Sequence, residues 1–283
     1  MRLRYFVFLI FANGLLHAET GGSTPCEFPL KFRDGLLWVE VHAPQSARPL
    51  NFLVDSGASV SVLNSSTARQ LGLALGPKVR VKGVRATLTG NWPVHLTAKA
   101  ETVELPDEYL ALNLSKLSAA CSGLVDGLLG ADFFRDRIVQ IDYAAQKLRL
   151  LEIPPQNETT TMLPMQIRHC GLRLQLSVNG HKPQWVRLDT GCATALQWVT
   201  TTVKSESYTT RPAVGLAELS IPQTMVNVSL GGQQVSNVPA GLHRRAIFPG
   251  ESGLLGNGLL SRFGVVTIDA KAGRLMFGSP PTQ

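Results

Sequence analysis

Asp55-Ser56-Gly57 recurs in this chain as Asp189-Thr190-Gly191. Each copy closes an apolar run, Phe52-Leu53-Val54 before the first and Trp185-Val186 with Leu188 before the second. Two aspartates in equivalent settings can do chemistry that one cannot. If they face one another across a pseudo-twofold axis, both carboxyls cannot easily ionise, so one is left a base and the other an acid. Such a pair can take a proton from water and give one to a carbonyl oxygen, which is what peptide-bond hydrolysis needs in the absence of a metal or a covalent intermediate. A single copy would be a common turn sequence, because Asp and Ser favour turns and Gly supplies positive φ.

The surrounding repeat gives the pair its weight. Phe28-Pro29-Leu30-Lys31-Phe32-Arg33 parallels Leu163-Pro164-Met165-Gln166-Ile167-Arg168 at an offset of 135, and the aspartates keep an offset of 134. Downstream, Gly127-Leu128-Leu129-Gly130 answers Gly253-Leu254-Leu255-Gly256 at 126, and Ile141-Asp142 answers Ile268-Asp269 at 127. A fixed order with a drifting offset is what duplication of one unit followed by loop shortening leaves behind. The leucine pairs are expected to be buried behind the triads, holding their loops rigid. Asp142 and Asp269 read as solvent-facing turn residues before the last strand of each half.

The elements that must position these residues are mostly strands. Leu36 to Val41, Phe52 to Val54, Leu172 to Leu176 and Val265 to Ile268 carry the apolar and β-branched runs of strands. Helices are few and short: Ser65 to Leu71 behind a Ser or Thr cap, Ala131 to Arg135, and Asn257 to Arg262. Gly83, Gly90 and Trp92 lie around possible hairpin turns. The polar, proline-containing stretch 154–161 reads as a linker between an N-terminal lobe, 19–153, and a C-terminal lobe, 162–283. The fold class expected is all-β and bilobal, two similar barrel-like lobes with few short helices.

Arg2 and Arg4, the apolar run Tyr5 to Ala12 and the small Ala18 have the three parts of a secretory signal, 1–18, cleaved to leave Glu19 first. The run is too short to span a bilayer comfortably, so no stable membrane anchor is expected. Export implies a periplasmic or secreted protein in an oxidising compartment. Four cysteines, Cys26, Cys121, Cys170 and Cys192, permit two disulfides there, while a buried free thiol is an equal reading for Cys192. Sequons stand at Asn64, Asn113, Asn157 and Asn227.

Composition narrows the function classes. With 44% hydrophobic and 17% charged residues in 283, the chain is globular and long enough for two domains. The formal net charge is +7, falling to about +5 without the leader, and it is scattered, so nucleic acid is not an expected partner. The densest basic stretch, Lys78-Val79-Arg80-Val81-Lys82, alternates charge with valine and reads as one solvated face of a strand. Val54-Asp55-Ser56-Gly57 lacks the glycine pattern of a serine nucleophile elbow. The six histidines form no His-Glu-x-x-His pattern, so neither a catalytic metal nor another cofactor is expected.

Asp-Ser/Thr-Gly after an apolar strand, followed some seventy residues on by two apolar residues and Gly, resembles the lobe of aspartic peptidases of the pepsin and retropepsin families. The resemblance runs from about Phe28 to Phe277, with lobes closer in length to a retropepsin protomer, as if two such units were fused. It implies that Leu128-Leu129-Gly130 and Leu254-Leu255-Gly256 thread through the loops bearing the aspartates. It also implies that Asp55 and Asp189 are the catalytic dyad, supported by Ser56, Gly57, Thr190 and Gly191. The two hydroxyls would bond across the lobe interface and the two glycines would admit close backbone approach. The implied function is that of a monomeric aspartic endopeptidase acting on a peptide or protein held extended between the lobes. A noncatalytic peptide-binding protein on the same fold is the alternative, and activity through dimerised first lobes is a third possibility. Two departures stand out. Ala58 and Cys192 follow the triads where pepsin-like lobes usually carry Ser or Thr, and no tyrosine lies between Asn64 and Asp107 to match the pepsin flap.

Overall fold

The computed structural model describes residues 26–278 except 84–85, 122, 157–159, 169–170, 201–206 and 214–216. The leader at 1–18, Cys170 and Asn157 lie outside the described residues. Lobe one begins with strands β1 (Cys26–Pro29), β2 (Lys31–Arg33), β3 (Leu36–Val41), β4 (Leu50–Val54) and β5 (Val62–Asn64), followed by helix α1 (Ser65–Gln70). Next come β6 (Lys78–Gly83), β7 (Ala86–His95), β8 (Lys99–Ala100), β9 (Val103–Glu104), β10 (Glu108–Leu112) and α2 (Ser115–Ala120). It closes with β11 (Gly127–Leu129), α3 (Ala131–Phe134), β12 (Ile138–Asp142) and β13 (Lys147–Leu151). Lobe two runs through β14 (Thr161–Arg168), β15 (Gly171–Val178), β16 (Gln184–Asp189), β17 (Leu196–Val199), β18 (Ser207–Ala213), β19 (Ala217–Leu230) and β20 (Gln233–His243). It ends with β21 (Gly253–Gly256), α4 (Asn257–Leu260) running into a 3-10 turn, β22 (Val265–Asp269) and β23 (Arg274–Phe277).

The duplication is visible strand by strand. Lobe one has the order β2-β3-β4-β11-β5-β10-β7-β6, and lobe two repeats it as β14-β15-β16-β21-β17-β20-β19-β18. The remaining strands tie the lobes together in the order β1-β13-β12-β22-β23-β14. At the centre of that bridge β12 and β22 pair antiparallel, Gln140 opposite Thr267. These two residues are equivalents at the repeat offset of 127, so the pseudo-twofold axis passes between them. Pro29 and Pro164, equivalent residues, each end the ladder to the last strand of their lobe. Proline cannot donate to a ladder, and beyond it the chain crosses to the lobe's own sheet. Lobe one breaks there into β1 and β2, whereas β14 continues through the crossing.

The expected strands and helices fall where the sequence places them, and α2 is an addition. Asn64 caps α1 by accepting from the Ser66 amide, and the same side chain donates to the Val125 carbonyl. Its amide is buried, so this sequon is sterically closed, whereas Asn113 and Asn227 are exposed. Lys78, Arg80 and Lys82 are exposed along β6 with half-buried valines between them, as the alternation predicts. Gly83 does close the β6–β7 hairpin, but Gly90 and Trp92 lie within β7 rather than at turns. Asp269 is also a correction: it is buried, not solvent-facing. Asp142 and Asp269 each accept from the backbone amide three residues on, Ala145 at 2.8 Å and Ala272 at 2.8 Å. Each therefore ties the turn into its lobe's last strand, and Arg274 covers Asp269 at 2.7 Å. Cys26, Cys121 and Cys192 are free thiols, so no disulfide joins any two of them.

Lobe one is covered on both faces. Phe28, Leu37, Val39, Phe52, Tyr109, Phe133 and Phe134 belong to the main core, which continues into lobe two through Leu174, Leu188, Leu255 and Ile268. Trp38, Leu53, Val62, Leu110, Leu112, Leu117 and Leu128 form a second cluster, against which Val79, Val81 and Leu88 of the β6–β7 hairpin pack. That cluster floors the cleft.

Candidate active site

Each aspartate sits where a strand ends. In lobe one β11 lies parallel to β4, with Leu129 beside Val54, and antiparallel to β5. The Asp55 amide then donates to the Leu129 carbonyl at 2.8 Å. In lobe two β21 lies in the same way between β16 and β17, with Leu255 beside Leu188 and Gly256 beside Asp189. The Gly-Leu-Leu segment of each lobe therefore passes between the strand entering the triad loop and the strand leaving it. All four leucines are buried. Burial of a leucine side chain contributes roughly 1.5–3 kcal/mol, enough to hold each loop against its strand. The closing glycines are required sterically: a Cβ at Gly130 would meet the Val60 carbonyl, and one at Gly256 the Thr194 and Cys192 carbonyls.

The two triads lock together through a reciprocal set of hydrogen bonds. Thr190 Oγ1 accepts from the Ser56 amide at 2.9 Å and donates to the Val54 carbonyl at 2.8 Å. Ser56 Oγ accepts from the Thr190 amide at 3.1 Å and donates to the Leu188 carbonyl at 2.9 Å. Both hydroxyls are fully buried, where unpaired donors would be costly, and each is satisfied only by the other lobe. The carboxyls of Asp55 and Asp189 meet above this lock, close enough to interact directly. Each also lies against the glycine of the opposite triad. A Cβ at Gly57 would strike the Asp189 carboxyl, and one at Gly191 would strike that of Asp55.

The surroundings of the carboxyls are not symmetric. Asp55 Oδ1 accepts from two amides, Gly57 and Ala58, both at 3.1 Å. Asp189 Oδ1 accepts from Gly191 at 3.0 Å; the Ala58 and Cys192 amides each donate to the backbone carbonyl of their own aspartate at 3.1 Å, and only that of Ala58 is shared with the carboxyl. Burial pushes both carboxyls above the ordinary carboxylate range, and Asp189 is pushed further because the charge of Asp55 adds to its burial. Amide donors favour the charged form, so the extra amide at Asp55 favours the pair's negative charge there. Burial, with the negative charge of the aspartate pair, pushes the Cys192 thiol up to about 12, so it is neutral; it contacts Thr194 Oγ1 at 3.1 Å.

A pocket of about 180 Å³ opens beside the pair. Leu110, Leu112, Leu117 and Leu128 line it from lobe one, Val81, Lys82 and Leu88 from the β6–β7 hairpin, and Phe248 from lobe two. The hairpin thus stands over the cleft as a flap with valine, lysine and leucine in place of a tyrosine. Lobe two is polar at two equivalent ladder positions. Gln197 pairs with Leu254 as Val62 does with Leu128, and His243 pairs with Val199 as Leu112 does with Asn64. Gln197 and His243 bond to each other at 2.6 Å.

Two groups at the site escape a sequence reading. Asn257, fully buried, donates to the Thr190 carbonyl at 2.6 Å and to the Gly35 carbonyl of lobe one at 2.9 Å, and accepts from Tyr143 at 2.9 Å. It fastens the second triad loop to the other lobe. Its position just after Gly-Leu-Leu-Gly is the only signal it leaves. Arg187 and Glu251 form a buried two-pronged ion pair at 2.9 and 3.0 Å. Arg187 lies two residues before Asp189, where an arginine in an apolar run reads as an outward-facing strand position.

Fold and paired aspartates together give the bilobal architecture of the aspartic proteinase fold, two short lobes in a single chain. Residues 45–136, which include the first triad and the first Gly-Leu-Leu-Gly, match the family described as gag-polyprotein putative aspartyl protease. The crystal structure of an aspartic proteinase from Irpex lacteus matches over 91% of this chain and 98% of its own, with a TM-score of 0.59 at 13% sequence identity. A search of curated proteins found no sequence match.

Proposed function

We propose that this protein is an aspartic endopeptidase that hydrolyses peptide bonds with a water molecule activated between Asp55 and Asp189. The observation that carries the reading is the contact of two carboxyls from equivalent positions at the floor of the cleft between lobes, one of them better provided with amide donors than the other. In this reading Asp55 takes a proton from the water and Asp189 gives its proton to the substrate carbonyl oxygen; Asp55 then gives its proton to the amine nitrogen while Asp189 takes one back from the gem-diol, so that the C–N bond breaks and the one-proton state is restored. The apparent pKa values belong to the pair. Activity needs the one-proton state: it falls at low pH as Asp55 is protonated and at high pH as Asp189 loses its proton. The leucine-lined pocket would take an apolar side chain next to the scissile bond, with the peptide extended beneath the flap. No cofactor enters the scheme.

The experiment is incubation of residues 19–283 with a diverse peptide pool across pH, with and without a transition-state-mimicking aspartic protease inhibitor. We expect cleavage beside large apolar residues, a bell-shaped pH profile, and full inhibition. Binding of extended peptides with no cleavage at any pH would instead favour the noncatalytic reading. We further propose that the protein acts as a monomer after export, periplasmic or secreted. The arginine-led apolar start and Ala18 support export, and the presence of both triads in one chain supports a monomer. An N-terminus at Glu19 in the exported protein is the expected result, and an intact membrane-bound form starting at Met1 would oppose it.

A further inference from the structure

The repeat builds nearly identical scaffolds around the two aspartates, yet a cation stands beside them on one side only. Arg187 occupies the lobe-two position equivalent to Leu53, and its partner Glu251 the position equivalent to Val125. All four residues are buried, so lobe one has hydrocarbon where lobe two has an ion pair. Room for the guanidinium comes from Gly171, where a Cβ would collide with it, and the ring of Phe248 lies 3.7 Å from it. An ion pair so enclosed costs desolvation that hydrocarbon would not.

The guanidinium also reaches across the lobe interface. Arg187 Nη1 donates to the Gly57 carbonyl at 3.3 Å. That carbonyl belongs to the same peptide unit as the Ala58 amide, which donates to Asp55 Oδ1 at 3.1 Å. A cation on the carbonyl end of a peptide polarises it and strengthens the donor at the other end. Lobe two has no matching line: the Ala58 and Cys192 amides both donate to the backbone carbonyl of their own aspartate at 3.1 Å, but only that of Ala58 also reaches the carboxyl. We propose that Arg187 is a positioning residue for the dyad, which acts through the Gly57–Ala58 peptide to fix the pair's single negative charge on Asp55. Glu251 holds and orients the guanidinium and moderates its direct field, which favours the charged form of both carboxyls; the bond to the Gly57–Ala58 peptide is what distinguishes Asp55. The inference rests on the dyad reading above.

Other charged and titratable groups near the pair are few among the described residues. Cys192 is neutral in the working range. Lys82 lines the pocket from the flap. Asp132 of α3 is engaged by the Ser61 amide and hydroxyl at 2.9 and 2.7 Å.

The test is a pH titration of the dyad by NMR in protein carrying carboxyl-13C aspartate, with Asp55 and Asp189 assigned from their Asn variants. It is run beside the pH profile of kcat/KM. Arg187→Met alone would leave Glu251 buried and unpaired and could unfold the lobe, so Arg187→Met is combined with Glu251→Gln. In wild type the lower step should belong to Asp55. In the double variant that step, and the acid limb of kcat/KM with it, should move up by about one pH unit, the low end of what a nearby opposite charge produces. Glu251→Gln alone, which leaves the cation unopposed, should move it down. A folded double variant whose lower step stays in place, or a wild type in which Asp189 carries the lower step, would overturn the proposal. The two readings separate cleanly: displaced NMR titration without any cleavage would sink the peptidase and leave the role of Arg187, whereas cleavage with an undisplaced titration would do the reverse.

Discussion

Asp55→Asn and Asp189→Asn will each reduce peptide cleavage by about 1,000-fold or more, the range expected when a positioned acid or base is removed, while leaving the fold nearly intact. Asparagine has the size of aspartate, and its side-chain oxygen can still accept from the Gly57, Ala58 or Gly191 amides that hold the carboxylates now. What it cannot do is share a proton. The lock beneath, made by Ser56 and Thr190, involves neither carboxyl and should survive. The two losses should not add, because groups that act as a unit are lost as a unit, so the double variant should be scarcely slower than either single one. Steady-state kinetics with circular dichroism on each variant reads this. Full activity in Asp189→Asn would mean that lobe one works through a homodimer or another group.

Gly57→Ala and Gly191→Ala are expected to have the next largest effect, by a different route. Each new methyl would occupy space now held by the carboxyl of the opposite lobe, and the buried hydroxyl lock leaves the backbone little freedom to retreat. The carboxyls must then part or rotate. A misplacement of about 1 Å can cost on the order of 100-fold in rate, and overpacking of this kind typically costs about 1–3 kcal/mol of stability. Cleavage should therefore fall by about 100-fold or more, with a lowered unfolding midpoint by calorimetry. Wild-type rates in Gly191→Ala would show that the carboxyls are not in contact in the working protein.

Much of this architecture was legible because it is written twice. The offsets of the Asp-Ser/Thr-Gly and Gly-Leu-Leu-Gly pairs located both triad loops, and Ile141-Asp142 and Ile268-Asp269, matched in sequence, lie in the two strands that the fold pairs across the pseudo-twofold axis. Features present once were harder to see. Helix α2 has no side-chain cap and buries only Leu117, so it carries little periodic signal. The burial of Asp269 depends on Arg274 and on the inter-lobe sheet covering it, which a local turn pattern does not contain. Arg187 and Glu251 lie 64 residues apart, on a strand and a loop that meet only when β21 inserts beside β16. Gly90 and Trp92 look like turn residues locally, but the long β6–β7 and β7–β10 pairings keep them in strand.

The central claim is that one chain, by joining two lobes, makes one complete site. Calorimetric titration of the wild type with a transition-state-mimicking peptide whose hydroxyl replaces the attacked carbonyl tests it most directly. The account predicts one inhibitor bound per chain and binding sharply weakened in both Asp55→Asn and Asp189→Asn. One inhibitor per two chains, or undiminished binding by Asp189→Asn, would contradict it.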